Sequence, residues 1–142
     1  MNEYIKRAIS YFLSLTIVTI VMIYVLNIPG YLTGADKLID EYYYKNMISS
    51  FIFDIFLCAI YISIAMMVTS YLKIKDNAYE LLAVMATCVF VSTCFMVLFK
   101  NGYKRGSFFS RWFEKVGFRA VIYDTILVST IFVIMKIIYT KI

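Results

Sequence analysis

Two carboxylates stand where apolar sequence should exclude them. Asp54 lies in "IFDIFL", residues 52–57, and Asp124 in "IYDTIL", residues 122–127, each preceded by an aromatic residue and set within a run long enough to cross a bilayer. A carboxylate inside a span costs about 2.5–3.5 kcal/mol even on the lenient insertion scale, so such a residue faces a partner or a wet cavity. Two kinds of chemistry follow. One is hydrogen bonding between helices, with Tyr123 or the basic Lys115 and Arg119 as partners; the other is the handling of an ion or a proton. At 1.5 Å per residue Asp54 sits only ~10 Å inside its span, and Asp124 lies at a similar depth on the same side, which favours the hydrogen-bonding role. Coupling carboxylates of transporters lie nearer the bilayer midplane.

The remaining chemical inventory is thin. There is no histidine, which removes the commonest general base and the commonest metal ligand. Cys58, Cys88 and Cys94 all fall inside apolar runs with no C-x-x-C spacing, and are expected to be small buried residues. No enzyme, metal or cofactor is expected.

The elements that position the carboxylates follow from composition. With 63% hydrophobic and 16% charged residues, the 142-residue chain is far more apolar than soluble domains. We expect an all-α, polytopic membrane protein forming a single domain over residues 1–142, with four spanning helices: Ala8 to Ile28, Met47 to Leu72, Ala78 to Phe99, and Phe118 to Tyr139. The first is read as a retained signal anchor, its apolar core being longer than a signal h-region. Lys136, close to a span end, is expected to snorkel. The short "KIKDN" turn, residues 73–77, makes the second and third spans antiparallel neighbours.

The two long connections resemble each other. "GYLTG" (Gly30, Tyr31, Gly34) and "GYKRG" (Gly102, Tyr103, Gly106) both open onto amphipathic spacing, Leu38, Ile39, Tyr42, Tyr43 in one and Phe108, Phe109, Trp112, Phe113 in the other. The glycines are expected to be interface turns, with Gly30 and Gly102 at positive φ as each helix leaves the bilayer. The amphipathic segments are expected to lie in the interface, aromatics at headgroup depth and charges in water. A shift of 70 residues superimposes Asp54 on Asp124 and the two aromatic quartets on each other. The chain thus reads as two parallel repeats, about 1–72 and 73–142, of spanning helix, interfacial helix and spanning helix.

Charge gives orientation and partners. The long loops hold eight of the fourteen basic residues, which places them on the cytoplasmic side. The concentration of Lys100, Lys104, Arg105, Arg111, Lys115 and Arg119 around Trp112 is expected to hold anionic headgroups or an acidic protein docked on the membrane. Self-association is a further option, small residues such as Ala59, Ala65 and Ala86 let the helices approach closely, and nucleic acid is not expected, because the same face is committed to lipid.

The segment "FFSRWFEKVGFRAVIYDTILVSTIFVIM", residues 108–135, with "YLTGADKLIDEYYYKN", residues 31–46, resembles a group of small multi-span membrane proteins of nucleocytoplasmic large DNA viruses, through Trp112, Val116-Gly117 and Tyr123-Asp124. The resemblance implies a virion protein of the lipid membrane beneath a capsid, with the capsid or another membrane-docked protein as partner. The favoured function is therefore structural, shaping a membrane or anchoring a protein shell to it. The alternative is a small ion or proton channel or transporter using Asp54 and Asp124.

Overall fold

A computed structural model describes residues 2–142. Among these residues the chain is all-helical, and four helices are long and apolar enough to cross a membrane. The first span joins α1 (Glu3–Val18) to a π-helical stretch, Thr19–Val25. Two short helices, α2 (Ile28–Thr33) and α3 (Asp36–Ile39), lead into a second π-helical stretch, Asp40–Lys45. The second span, α4, is Met47–Tyr71 and the third, α5, is Asn77–Asn101. A cap helix, α6 (Phe108–Val116), then precedes the fourth span, α7 (Phe118–Lys141).

Local chemistry sets these boundaries. The Asn2 side chain caps α1 by accepting from the Tyr4 amide at 2.8 Å, and Asp76 caps α5 by accepting from the Ala78 amide at 2.8 Å. Ser107 is the N-cap of α6, accepting from the Ser110 amide at 3.4 Å. Gly117, at φ 64 and ψ −136, makes the sharp turn between α6 and α7, a backbone region open essentially to glycine alone.

The four spans form a closed bundle in which α7 packs most extensively against α5 and α1, and α4 packs on α5. The ring closes where Tyr11 Oη of α1 donates to the Ile55 carbonyl of α4 at 2.5 Å and Phe12 meets Phe51 edge-on. Small side chains at the contacts, Ser14, Ala65, Cys88, Ser92 and Ala120, are fully or almost fully buried, as close helix approach in lipid requires. Large apolar residues such as Phe56, Met67, Phe90 and Leu98 point outward, where only lipid would accept them. The two halves are not packed alike: α5 runs against α7, whereas α1 meets α4 at a few points. The first span also turns π-helical where α5 stays α-helical.

Two expectations require correction. Gly30 and Gly102 do not take positive φ. Pro29 begins α2 at once, its fixed φ suiting the first helical turn, so Gly30 becomes helical and the left-handed exit moves to Gly34 at φ 66. The second motif has no proline; α5 continues to Asn101 and stops at Gly102, φ −99, with exposed Tyr103 and Gly106 in an open loop. The same letters thus make two different structures.

The amphipathic segments do not float on the bilayer either. Their aromatic faces turn into the mouth of the bundle: Trp112 is 5% exposed, Phe113 stacks on Phe99 at 5.9 Å, and Trp112 meets Tyr123 at 6.3 Å. An aromatic face buries against the nearest apolar surface, and the splayed ends of the spans supply one. Trp112 therefore belongs to the core rather than to a docking face. Lys136, half-exposed near the end of α7, pairs with Glu80 of α5 at 2.9 Å.

Candidate functional site

The cap and the span ends enclose a chamber of about 40 Å³. Asp54, Leu57, Cys58 and Tyr61 of α4, and Tyr123, Asp124, Leu127 and Val128 of α7, form its walls; Tyr42 and Tyr43 from the π-helical stretch and Phe108, Phe109 and Trp112 from α6 close it. Both carboxylates singled out in the sequence line the same cavity.

Helical spacing explains the grouping. Asp54, Cys58 and Tyr61 recur at i, i+4 and i+7 on one face of α4, and Asp124, Leu127 and Val128 at i, i+3 and i+4 on α7, so each helix turns a single stripe toward the chamber. Tyr42 Oη donates to Asp54 Oδ1 at 2.6 Å, and Ser92 Oγ of α5 donates to Asp124 Oδ2 at 2.7 Å. The hydroxyls of Tyr43 and Tyr123 meet at 2.8 Å, joining the first long connection to the fourth span. Tyr24 of the first span donates to the Tyr43 carbonyl, which ties the two π-helical stretches together.

Burial, and after it the Asp54 carboxylate, push the Tyr42 phenol above its usual range; burial and then Tyr123 do the same for Tyr43. Both phenols are therefore neutral donors near pH 7.

No cation neutralises either carboxylate among the described residues. The ion pairs found are Arg7–Glu3, Lys45–Asp40, Arg111–Glu41 and Lys136–Glu80. Lys115 and Arg119, expected as partners, are exposed on the outside of α6 and α7. Tyr123, the other expected partner, bonds Tyr43 instead. An arginine or lysine on the outer face of a cap helix would have to cross the aromatic layer of Phe108, Phe109 and Trp112 to reach the chamber.

Above the chamber lies a vestibule of about 300 Å³, lined by Glu41, Asn46, Ser49, Ser50, Phe53 and Arg111 and sharing Tyr42, Phe108 and Phe109 with it. Arg111 forks onto Glu41 through two contacts, 3.1 and 3.0 Å, joining α6 to the π-helical stretch before α4. This geometry gives Arg111 a structural partner and removes it from the free basic set. Lys100, Lys104, Arg105, Lys115 and Arg119 remain exposed.

Sequence reasoning missed Glu41, Tyr42, Tyr43 and Ser92 as polar partners. Ser92 carried a signal of sorts, being a small polar residue on a span, but Tyr42 and Tyr43 looked like any other aromatics of an amphipathic face. No family model, curated protein or solved structure matches the chain.

Proposed function

We propose that this chain is a structural membrane protein that anchors a protein shell to a bilayer, with an acidic protein surface docking on its loop-side end. One observation carries this reading: Lys100, Lys104, Arg105, Lys115 and Arg119 are all exposed at the end of the bundle where α6 is held in place by the Arg111–Glu41 fork. Basic side chains on a cap fixed to four spans present a positive surface at a set height above the membrane, which suits long-range attraction of an acidic partner. Resemblance to the large-DNA-virus group supplies the setting, the inner membrane of a particle with the capsid as the shell. Positive-inside reasoning supplies the side, with this end cytoplasmic.

The second class, an ion or proton pathway, has less support. The chamber shares no lining residue with the large groove at the opposite end, lined by Met66, Leu81, Phe132 and Lys136. Buried Ile62, Ala65, Val84 and Ile131 occupy the levels between them.

Binding of polyglutamate to the purified chain in phosphatidylcholine vesicles tests docking. We expect salt-sensitive binding that disappears when Lys100, Lys104 and Arg105 become Gln. Equal retention of the polyanion by both proteins overturns the proposal. So does binding that requires phosphatidylserine in the vesicle, which would make lipid headgroups the occupant.

A further inference from the structure

We propose that the chamber between Asp54 and Asp124 is a binding site for a single monovalent alkali cation, reached from the loop side. Oxygen chemistry dominates its polar lining: two carboxylates and the hydroxyls of Tyr42, Tyr43, Tyr61 and Tyr123. Asp54 is 6% exposed, and the hydrogen bond it accepts goes to one of its two oxygens, Oδ1, from a neutral phenol. Asp124 is likewise bonded at Oδ2 by the neutral Ser92 hydroxyl. Each carboxylate thus keeps a second oxygen for a ligand, and both line one cavity that contains no Lys or Arg side chain.

Neutral donors reduce the cost of buried negative charge without cancelling it; a bound monovalent cation offsets one of the two carboxylate charges. The volume fits. A water needs roughly 10–15 Å³ by this measure, so a cavity of about 40 Å³ holds an ion with one or two waters completing its shell.

Ligand number selects the charge of the ion. Calcium takes 6–8 oxygens at an acid-rich site and magnesium demands near-ideal octahedral geometry. The described residues contain no cluster of three or more Asp, Glu, His or Cys. Two carboxylates with phenol oxygens and water suit a singly charged ion, whose coordination is less exacting. The vestibule gives the route, with the paired Glu41 and Arg111 at its wall and Tyr42, Phe108 and Phe109 separating it from the chamber.

Trp112, the one tryptophan in the chain, lines the chamber and reports on it directly. The purified full chain in phosphatidylcholine vesicles is titrated with NaCl or KCl against choline chloride at constant ionic strength. Trp112 fluorescence should change saturably with an alkali ion and stay flat with choline. In Asp54→Asn and Asp124→Asn, with helicity checked by circular dichroism, the midpoint should rise at least about tenfold, as loss of a charged ligand implies. Equilibrium binding of radioactive sodium to the wild type gives the stoichiometry without any variant, and one ion per chain is expected. No saturable binding to folded wild type overturns the site, as does a folded pair of variants titrating like wild type.

Discussion

At the residue scale, the partners of the two carboxylates decide their worth. Interhelical hydrogen bonds in membranes average about 0.6 kcal/mol, because the unfolded chain in lipid also finds partners. Tyr43→Phe and Tyr123→Phe remove the same neutral contact and each leaves one buried hydroxyl unpaired, so each should cost at least about that much and the double variant no more than either alone. Tyr42→Phe is different. It leaves a buried carboxylate, rather than a neutral hydroxyl, without its donor, and a loss of roughly 1–3 kcal/mol is expected, because the penalty is larger for a charged group. Denaturant-induced unfolding in mixed micelles, followed by circular dichroism, measures all four variants; a Tyr42→Phe loss no larger than the Tyr43→Phe loss would remove the distinction.

Elements carry the next set of consequences. Gly117 allows α6 to fold back onto the span ends before α7 begins, and its backbone lies where a Cβ is strained even though nothing crowds it. Gly117→Ala should destabilise by about 1–3 kcal/mol, whereas Gly106→Ala, in an open loop with no neighbour within 4 Å, should be nearly silent; thermal unfolding of the two side by side checks this. The Arg111–Glu41 fork joins α6 to the π-helical stretch before α4, with both side chains about one-third exposed. A double-mutant cycle with Arg111→Gln and Glu41→Gln should give a coupling of about 0.5–1 kcal/mol that shrinks in high salt; a coupling of zero in low salt would show that the fork does not hold the cap.

Legibility in the sequence also divides by element. The four spans were plain, because ~20 apolar residues in a row have few other fates. Asp54 and Asp124 stood out as carboxylates in those runs, and each is now seen at one chamber. The glycine turns were misjudged because Pro29, one residue before Gly30, converts the first into a helix start. The aromatic faces were misjudged because sequence periodicity shows that a helix has an apolar side, not whether lipid or protein covers it. Tyr42 could not be read as the donor to Asp54, since the spacing between them crosses a turn and no periodic rule reaches over it.

For the whole molecule, the asymmetry between ends matters most. The loop-side end carries the chamber, the vestibule and the exposed cluster of Lys100, Lys104, Arg105, Lys115 and Arg119; the opposite end carries an apolar groove edged by Arg7 and Lys136, with Lys73, Lys75 and Lys141 exposed around it. Between them, buried apolar side chains fill the bundle. An anchor needs no passage through that layer and a transporter does. A site that binds an ion at one end is compatible with an anchor, because binding alone moves nothing across.

Ion and proton flux into liposomes holding the purified, folded protein therefore tests the account most directly, measured over a range of pH and voltage and compared with Asp54→Asn and Asp124→Asn. The anchoring account predicts no flux above that of empty liposomes for the wild type or either variant. Flux through the wild type that a folded Asp54 or Asp124 variant abolishes would make the chamber part of a continuous pathway and contradict it.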